Sequence, residues 1–163
     1  MKIQKLINEN NHVALGAKMI HFAGYNMPIW YSSISDEHNC VRNNVGIFDV
    51  SHMGEFLIGG EESEKFLQRI TINDVSKLNV GQAQYSAMCY PDAGIVDDLI
   101  IYKKSDGYFM VVNAGNIDKN FRWLNDNIIN DVAVENKSSD ISYNKEEGYI
   151  VNIKINHTTP INI

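Results

Sequence analysis

Cysteine is scarce in this sequence, where Cys40 and Cys89 are the only two among 163 residues. Two cysteines are too few for a disulfide framework, and their spacing is not that of a metal-binding pair. No two histidines have the spacing of a zinc site either. We therefore expect buried thiols in a reducing compartment and no bound metal.

Basic residues and long apolar runs are also lacking. The chain has 14 Lys and Arg residues against 20 Asp and Glu residues, so its formal net charge is -6 at pH 7. A nucleic-acid surface needs a clustered basic excess, and a bilayer-spanning helix needs about 20 apolar residues in succession. The polar N-terminus contains no signal-peptide core. These features argue against nucleic-acid binding, membrane insertion and secretion, and they favour a cytoplasmic protein that handles a small molecule.

The composition is that of one globular domain, with 44% hydrophobic residues. Strand-like runs at 84–90, 95–103 and 108–113 are separated by four-residue turns, which are too short for parallel crossovers. Helical spacing of apolar residues predicts one helix through Phe66, Leu67 and Ile70 and another after Asn116, through Ile128. We expect an α+β fold in which an antiparallel sheet packs against helices.

The other segments are assigned from their boundaries and composition. Residues 35–46 have Ser35 as a candidate N-cap, acids in the first turn and a terminal glycine, which predicts a short helix. Residues 47–58 are rich in apolar and β-branched residues and predict a strand. After Asp131 the sequence becomes more polar, with possible strands at 132–134 and 149–151. Residues 142–163 form a divergent tail, and its last part, residues 152–163, is either an edge strand or an incidental tail.

Two adjacent acids, Asp97 and Asp98, interrupt an apolar run. Because successive strand side chains point to opposite faces, only one of them can enter a given pocket. Alternation places Asp98, Ile100 and Tyr102 on one face, and it places Val111 and Asn113 together on the next strand. A carboxylate, a phenol, an amide and aliphatic walls suit a flat, hydrogen-bonding heterocycle. The alternative is that both acids are solvated or satisfied at the start of the strand.

His52 follows Asp49 and Ser51 closely, which suggests a Ser-His-Asp triad. The members of a triad normally converge from separate elements, whereas neighbours on one strand alternate between faces. We therefore predict a structural histidine with a backbone hydrogen-bond partner.

Seven segments resemble, in this order, the N-terminal portion of the aminomethyltransferase (T-protein) family of the glycine cleavage system. They are LGAKM at 15–19, FAGYNMP at 22–28, GIFDVSHMG at 46–54, TIND at 71–74, QYS at 84–86, GIVDDL at 94–99 and VVNA at 111–114. The FDVSHM and DDL blocks at this separation form a specific combination. The resemblance covers about residues 15–141, and it implies the first part of a three-domain fold, with residues 1–141 as its folate-binding portion.

The resemblance implies a one-carbon transferase. In that family an aminomethyl group on the lipoyl arm of a partner, the H-protein, is passed to tetrahydrofolate, and ammonia is released. The second acid of the DDL motif, Asp98, is then the catalytic carboxylate, which serves as a base and stabilises the developing iminium cation. The residues that the resemblance places around the folate are Met53, Tyr85, Asp98, Ile100, Tyr102, Val111 and Asn113.

The sequence also departs from the family. Ala93 stands where a second glycine is usual, Tyr25 replaces a tryptophan, and the expected Gln-Gly-Pro continuation does not follow Ile141. The chain thus resembles a truncated member, so a non-catalytic folate-binding or interaction module, or an inactive truncated product, remains the alternative. The related iron–sulfur assembly protein is disfavoured because its Lys-Gly-Cys segment is absent. Sarcosine and dimethylglycine dehydrogenases carry this fold beside a flavin domain that the sequence lacks.

Overall fold

A computed structural model describes residues 3–6, 8–139 and 154–155 of the chain. The chain divides into two compact units, one comprising Met1–His52 with Ser142–Ile163 and the other Met53–Ile141. The segment at 149–151 lies outside the described residues. Among the helices that the structure describes, none combines the length and apolarity needed to cross a membrane.

The first unit contains a small sheet and two helices. Its elements are β1 (Gln4–Lys5), α1 (Glu9–Ala14), β2 (Lys18–Phe22), β3 (Tyr25–Trp30), α2 (Ile34–Asn43) and β4 (Val45–Gly46). β2 and β3 form an antiparallel hairpin, and β1 runs parallel to β3. β4 pairs with Lys154–Ile155 in an antiparallel bridge.

Helix α2 confirms the predicted helix but starts slightly earlier. The hydroxyl of Ser33, not Ser35, caps it by accepting a hydrogen bond from the backbone N–H of Asp36 at 3.1 Å. A cap hydroxyl reaches an N–H two or three residues into the helix, whereas Ser35 already lies in the first turn. No residue of α2, which the structure describes throughout, is buried. Cys40 is therefore exposed, and the expectation of a buried thiol is wrong at this position.

The second unit is built on a five-stranded sheet. Its elements are β5 (Gly54–Gly59), α3 (Ser63–Ile70), β6 (Ala83–Cys89), β7 (Ile95–Lys104), β8 (Gly107–Val112), α4 (Ile117–Asp126) and β9 (Ala133–Asn136). The strand order is β6-β7-β8-β5-β9, and every neighbouring pair is antiparallel. The predicted meander and the α+β class are confirmed.

One face of this sheet and the two helices enclose the hydrophobic core. The buried side chains of the sheet include Phe56, Ile58, Leu99, Ile101, Met110 and Val112, and α3 adds the predicted Phe66, Leu67 and Ile70. The ring of Phe56 lies 5.6 Å from that of Phe121 in α4. α4 confirms the helix after Asn116, but it ends at Asp126 and leaves Ile128 outside it.

A local turn shortens the strand predicted at residues 47–58. β5 begins at Gly54 and not at residue 47, because the carboxylate of Asp49 accepts hydrogen bonds from the N–H (3.0 Å) and hydroxyl (2.6 Å) of Ser51. Such an Asx turn competes with the extended ladder.

In the turn before β7, Ala93 adopts φ +69°, in the left-handed region where glycine is favoured.

Candidate functional site

The sheet face opposite the core carries most of the residues singled out by the sequence. In the cross-strand register, Tyr85 pairs with Ile100, Ile100 with Val111, and Val111 with Glu55. Tyr102 pairs with Phe109 one row further along this face. The side chains predicted from alternation to share a face therefore do so, and the register across four strands brings them into one surface. Met53 lies two residues before Glu55 and is half-buried.

Asp98 is held on this face by two side-chain hydrogen bonds. The phenol of Tyr85 donates to its Oδ2 at 2.7 Å, and the amide nitrogen of Asn113 donates to its Oδ1 at 2.7 Å. The hydrogen bond from Tyr85, assisted by the one from Asn113, holds the pKa of Asp98 below its usual value and outweighs the opposing effect of desolvation. The same bond raises the pKa of Tyr85. Asp98 is therefore an anion at neutral pH, and its partners fix its orientation.

The surroundings of Asp98 differ from the expected cavity. Within the described residues, Asp98 is exposed and 65% of Tyr85 is accessible to solvent. Val111 and Glu55, further across the same face, are buried at 6% and 1% exposure. This face is thus buried around Val111 and Glu55, its covered side, and exposed around Asp98 and Tyr85, its open side. In the second unit, α3 and α4 cover the opposite face of the sheet and cannot enclose Asp98.

Asp97 points the other way, as alternation predicts. Its carboxylate is buried and accepts hydrogen bonds from three amide nitrogens, those of Asn113 (3.0 Å), Asn116 (3.0 Å) and Asn120 (2.5 Å). Asn113 follows β8, where the chain leaves the sheet, so its amide reaches both acids. The two acids do not form an acid–base pair, because each has its own set of partners.

Glu55 was missed by the sequence reasoning, although it shares the face of Asp98. Burial raises its pKa to about 8, and its Oε2 has no hydrogen-bond partner among the described residues. A carboxyl group in this state is neutral at pH 7. The available signal was the period of two from Met53, which puts residue 55 on the predicted folate face.

A polar network in the first unit was also missed. The imidazole of His12 lies 2.9 Å from Asp49 Oδ2 through Nε2 and 2.7 Å from the hydroxyl of Tyr31 through Nδ1. Burial raises the pKa of Asp49, but the hydrogen bonds from Ser51 and His12 together outweigh it, so the pKa of Asp49 is lowered. Asp49 thus joins His12 and Ser51, not His52, and no Ser-His-Asp order results.

His52 differs from its expected environment. Its Nδ1 has no partner within the described part of the chain, so the expected hydrogen bond is not made at that nitrogen. Burial lowers the pKa of the imidazole, which favours its neutral form. Its ring instead packs in a T-shaped arrangement with the ring of Tyr25, with a centroid separation of 6.0 Å.

A family model described as the GCVT N-terminal domain matches residues 9–145. The chain belongs to this family. The five-stranded sheet, the Asp98 cluster and the sequence motifs all lie within the matched range. In the ranges that the structure describes, no group of three or more His, Cys, Asp or Glu side chains is arranged to hold a metal ion.

Relatives of this GCVT-family chain are aminomethyltransferases. It is 55% identical over 128 residues to the aminomethyltransferase of Geobacillus sp. (strain WCH70), covering 78% of this chain and 35% of that protein. With the aminomethyltransferase of Anoxybacillus flavithermus it shares 47% identity over 149 residues, covering 91% and 41%. The crystal structure of the glycine cleavage system aminomethyltransferase T from Bartonella henselae matches with a TM-score of 0.74 and 32% identity, covering 82% and 38%. The chain thus spans between one third and about two fifths of these relatives.

Proposed function

We propose that this chain is the folate-binding portion of a glycine cleavage system aminomethyltransferase, with Asp98 as its catalytic carboxylate. In this proposal residues 1–141 supply the binding face and residues 142–163 are a divergent tail. The single observation that carries the proposal is the clamped position of Asp98 between Tyr85 and Asn113, on the sheet face opposite the core. The names of the relatives supply the reaction.

The chemistry assigns Asp98 mainly an electrostatic role. The methylene carbon loses its bond to the amine nitrogen, which departs as ammonia, and its bond to the lipoyl sulfur of the H-protein, which is released as a thiol. Two nitrogens of tetrahydrofolate each form a bond to that carbon and each lose a proton, and these two protons balance the ammonia and the thiol. A general base works best when its pKa is near the working pH, whereas the pKa of Asp98 is lowered. A fixed carboxylate beside a developing iminium cation stabilises the transition state without such a match.

The remaining folate contacts follow from the same face. Tyr85, which is largely exposed, and half-buried Tyr102 supply aromatic rings on this face that can stack on a pterin. Ile100, which pairs with Tyr85, and Val111, which pairs with Ile100 from the next strand, supply the apolar part of this face. Asn113 supplies an amide beside Asp98, and Met53 lies where β5 begins.

A second candidate, folate binding without turnover, is favoured by the open side of the site. Tyr85 is 65% exposed, so the described residues enclose only part of a ligand. Misplacement of a reacting group by about 1 Å costs on the order of 10²-fold in rate. Binding to one open face therefore tolerates incomplete enclosure better than catalysis does. The lipoyl-bearing H-protein as partner and a cytoplasmic location belong to the catalytic proposal; the family resemblance implies the first, and the composition favours the second.

Calorimetry with tetrahydrofolate tests the proposal on the chain as it exists. Wild type should bind, and Asp98→Asn should bind with little loss, because the amide keeps hydrogen-bonding capacity but lacks the charge. Formation of methylene-tetrahydrofolate from an aminomethylated H-protein should fall by about 10²-fold in that variant. Asp106→Asn is the matched control, because Asp106 is an acid in the β7–β8 turn that pairs only loosely with Lys104 at 3.7 Å.

The outcomes separate the two candidates. Binding with a turnover that depends on Asp98 supports the enzyme, and binding without any turnover supports the folate-binding module. Absence of binding at millimolar tetrahydrofolate removes both. Turnover that is unchanged in Asp98→Asn contradicts the catalytic assignment.

A further inference from the structure

The buried acid beside the catalytic one is connected to the site through a shared amide. Asn113 Nδ2 lies 3.0 Å from Asp97 Oδ1 and 2.7 Å from Asp98 Oδ1. An asparagine amide nitrogen carries two hydrogens, so each carboxylate receives one. Both donor positions of Asn113 are thereby occupied by the two acids.

This arrangement determines which way the amide of Asn113 faces. If the group were rotated by half a turn, its carbonyl oxygen would stand against two carboxylate oxygens, and both charge-assisted hydrogen bonds would be lost. With the nitrogen held by the acids, the carbonyl oxygen is directed away from them. That oxygen accepts no hydrogen bond from a side chain in the described part of the chain, so it is the atom offered to a ligand.

Asp97 is itself rigidly mounted. It is 6% exposed, and the amides of Asn116 and Asn120 hold its other acceptor positions from the start and the second turn of α4. A buried acceptor with three donors has little freedom to reorient. The position of the Asn113 amide, at the end of β8, is therefore fixed relative to α4 through the Asp97 carboxylate.

We propose that Asp97 is a positioning residue, which fixes the amide of Asn113 so that its nitrogen supports Asp98 and its oxygen accepts an N–H of the pterin. This inference rests on the proposed function. It gives a role in the site to Asp97, although strand alternation places its side chain on the opposite face from Asp98. Asp97 touches no substrate in this account and acts through Asn113.

A thermodynamic cycle for tetrahydrofolate affinity distinguishes positioning from a purely structural role. Asp97→Ala should weaken binding by about tenfold, because an amide that reorients loses a hydrogen bond to the ligand. In an Asn113→Ala background the same substitution should cost less than about twofold, because the group it orients is gone. A general structural role predicts equal losses in both backgrounds and is the result that overturns the proposal.

A conservative variant provides the rescue. Asp97→Asn keeps one oxygen for Asn113 and Asn116, and its new amide nitrogen faces Asn120, whose Oδ1 is buried without a partner among the described residues. Rotation of the Asn120 amide would let that Oδ1 accept from the new nitrogen, and it would leave Nδ2 of Asn120 at the position where Oδ1 had no partner, so the cost falls on Asn120 and not on Asn113. Asp97→Asn should therefore retain affinity within about threefold of wild type. A loss as large as that of Asp97→Ala contradicts the proposed geometry.

Nuclear magnetic resonance of the ligand-free wild type tests the positioning step without folate. Both side-chain N–H protons of Asn113 should exchange slowly with solvent, and Asp97→Asn should leave them protected. If both exchange as fast as in an unstructured peptide, the inference fails, whatever tetrahydrofolate does. If they are protected but wild type does not bind tetrahydrofolate, the proposed function fails for this chain while the placement of Asn113 stands.

Discussion

Glu55 provides a quantitative prediction about stability. Its backbone is satisfied, because its N–H donates to the hydroxyl of Ser138 at 3.0 Å and its carbonyl accepts from the N–H of Lys137 at 2.8 Å. The side chain is 1% exposed, and its Oε2 lacks a partner within the described residues. Replacement by glutamine keeps the shape and removes the ionisation, so Glu55→Gln isolates the cost of charging this group.

The sign and size of the effect follow from linkage. The carboxyl pKa is about 8 in the folded chain against 4.5 for the unperturbed group. Between these values the folded chain holds a proton that the unfolded chain has released, so stability falls as pH rises. The slope is about 1.4 kcal/mol per pH unit within this window, and it vanishes below about pH 4.5, where both states are protonated, and above about pH 8, where both are ionised. From pH 5.5 to 7.5 the loss is about 3 kcal/mol.

Urea unfolding at these two pH values measures the difference. The free energy of unfolding of wild type should drop by about 3 kcal/mol more than that of Glu55→Gln, because all other titrating groups are common to both proteins. Glu135→Gln, on exposed β9, is the control and should follow wild type. Identical pH dependence of wild type and Glu55→Gln would refute the reasoning, because it would mean that the carboxyl is charged and compensated in the folded chain.

Two smaller changes test local geometry through the same unfolding measurement. Ala93→Gly should stabilise the chain by about 0.5 kcal/mol, because φ +69° is strained for alanine. Ala87→Gly, inside β6, is the control and should destabilise the chain by a similar amount. A loss of stability at both positions would show that residue 93 is not strained. Ser33→Ala should lower the free energy of unfolding by about 1 kcal/mol, because the α2 cap is lost. Ser35→Ala should stay within about 0.5 kcal/mol of wild type. A larger loss in Ser35→Ala than in Ser33→Ala would place the cap at Ser35.

Local patterns predicted the meander well, because its determinants are local. Short turns at 91–94 and 104–107 leave an antiparallel hairpin as the only connection, and period two then assigns Asp98 and Asp97 to opposite faces. The same reasoning found the buried face of α3. These features depend on sequence separations of a few residues.

Long-range contacts account for what the sequence did not reveal. Asp49 leaves the predicted strand because His12, 37 positions earlier, and Ser51 bind its carboxylate. The insertion of β5 between β8 and β9 is equally non-local, and it is this pairing that places Glu55 beside Val111. The hydrogen bonds from Tyr85 and Asn113 to Asp98 depend on the register of three strands, and alternation within one strand does not predict that register.

The most direct test of the central claim is a titration of isotope-labelled chain with tetrahydrofolate, followed by nuclear magnetic resonance. The largest shifts should fall on Tyr85, Asp98 and Asn113, while Leu99 and Ile101, on the core face of the strand that carries Asp98, should change little. Shifts concentrated on the core face or on α3, with the signals of Tyr85 and Asp98 unmoved, would contradict it.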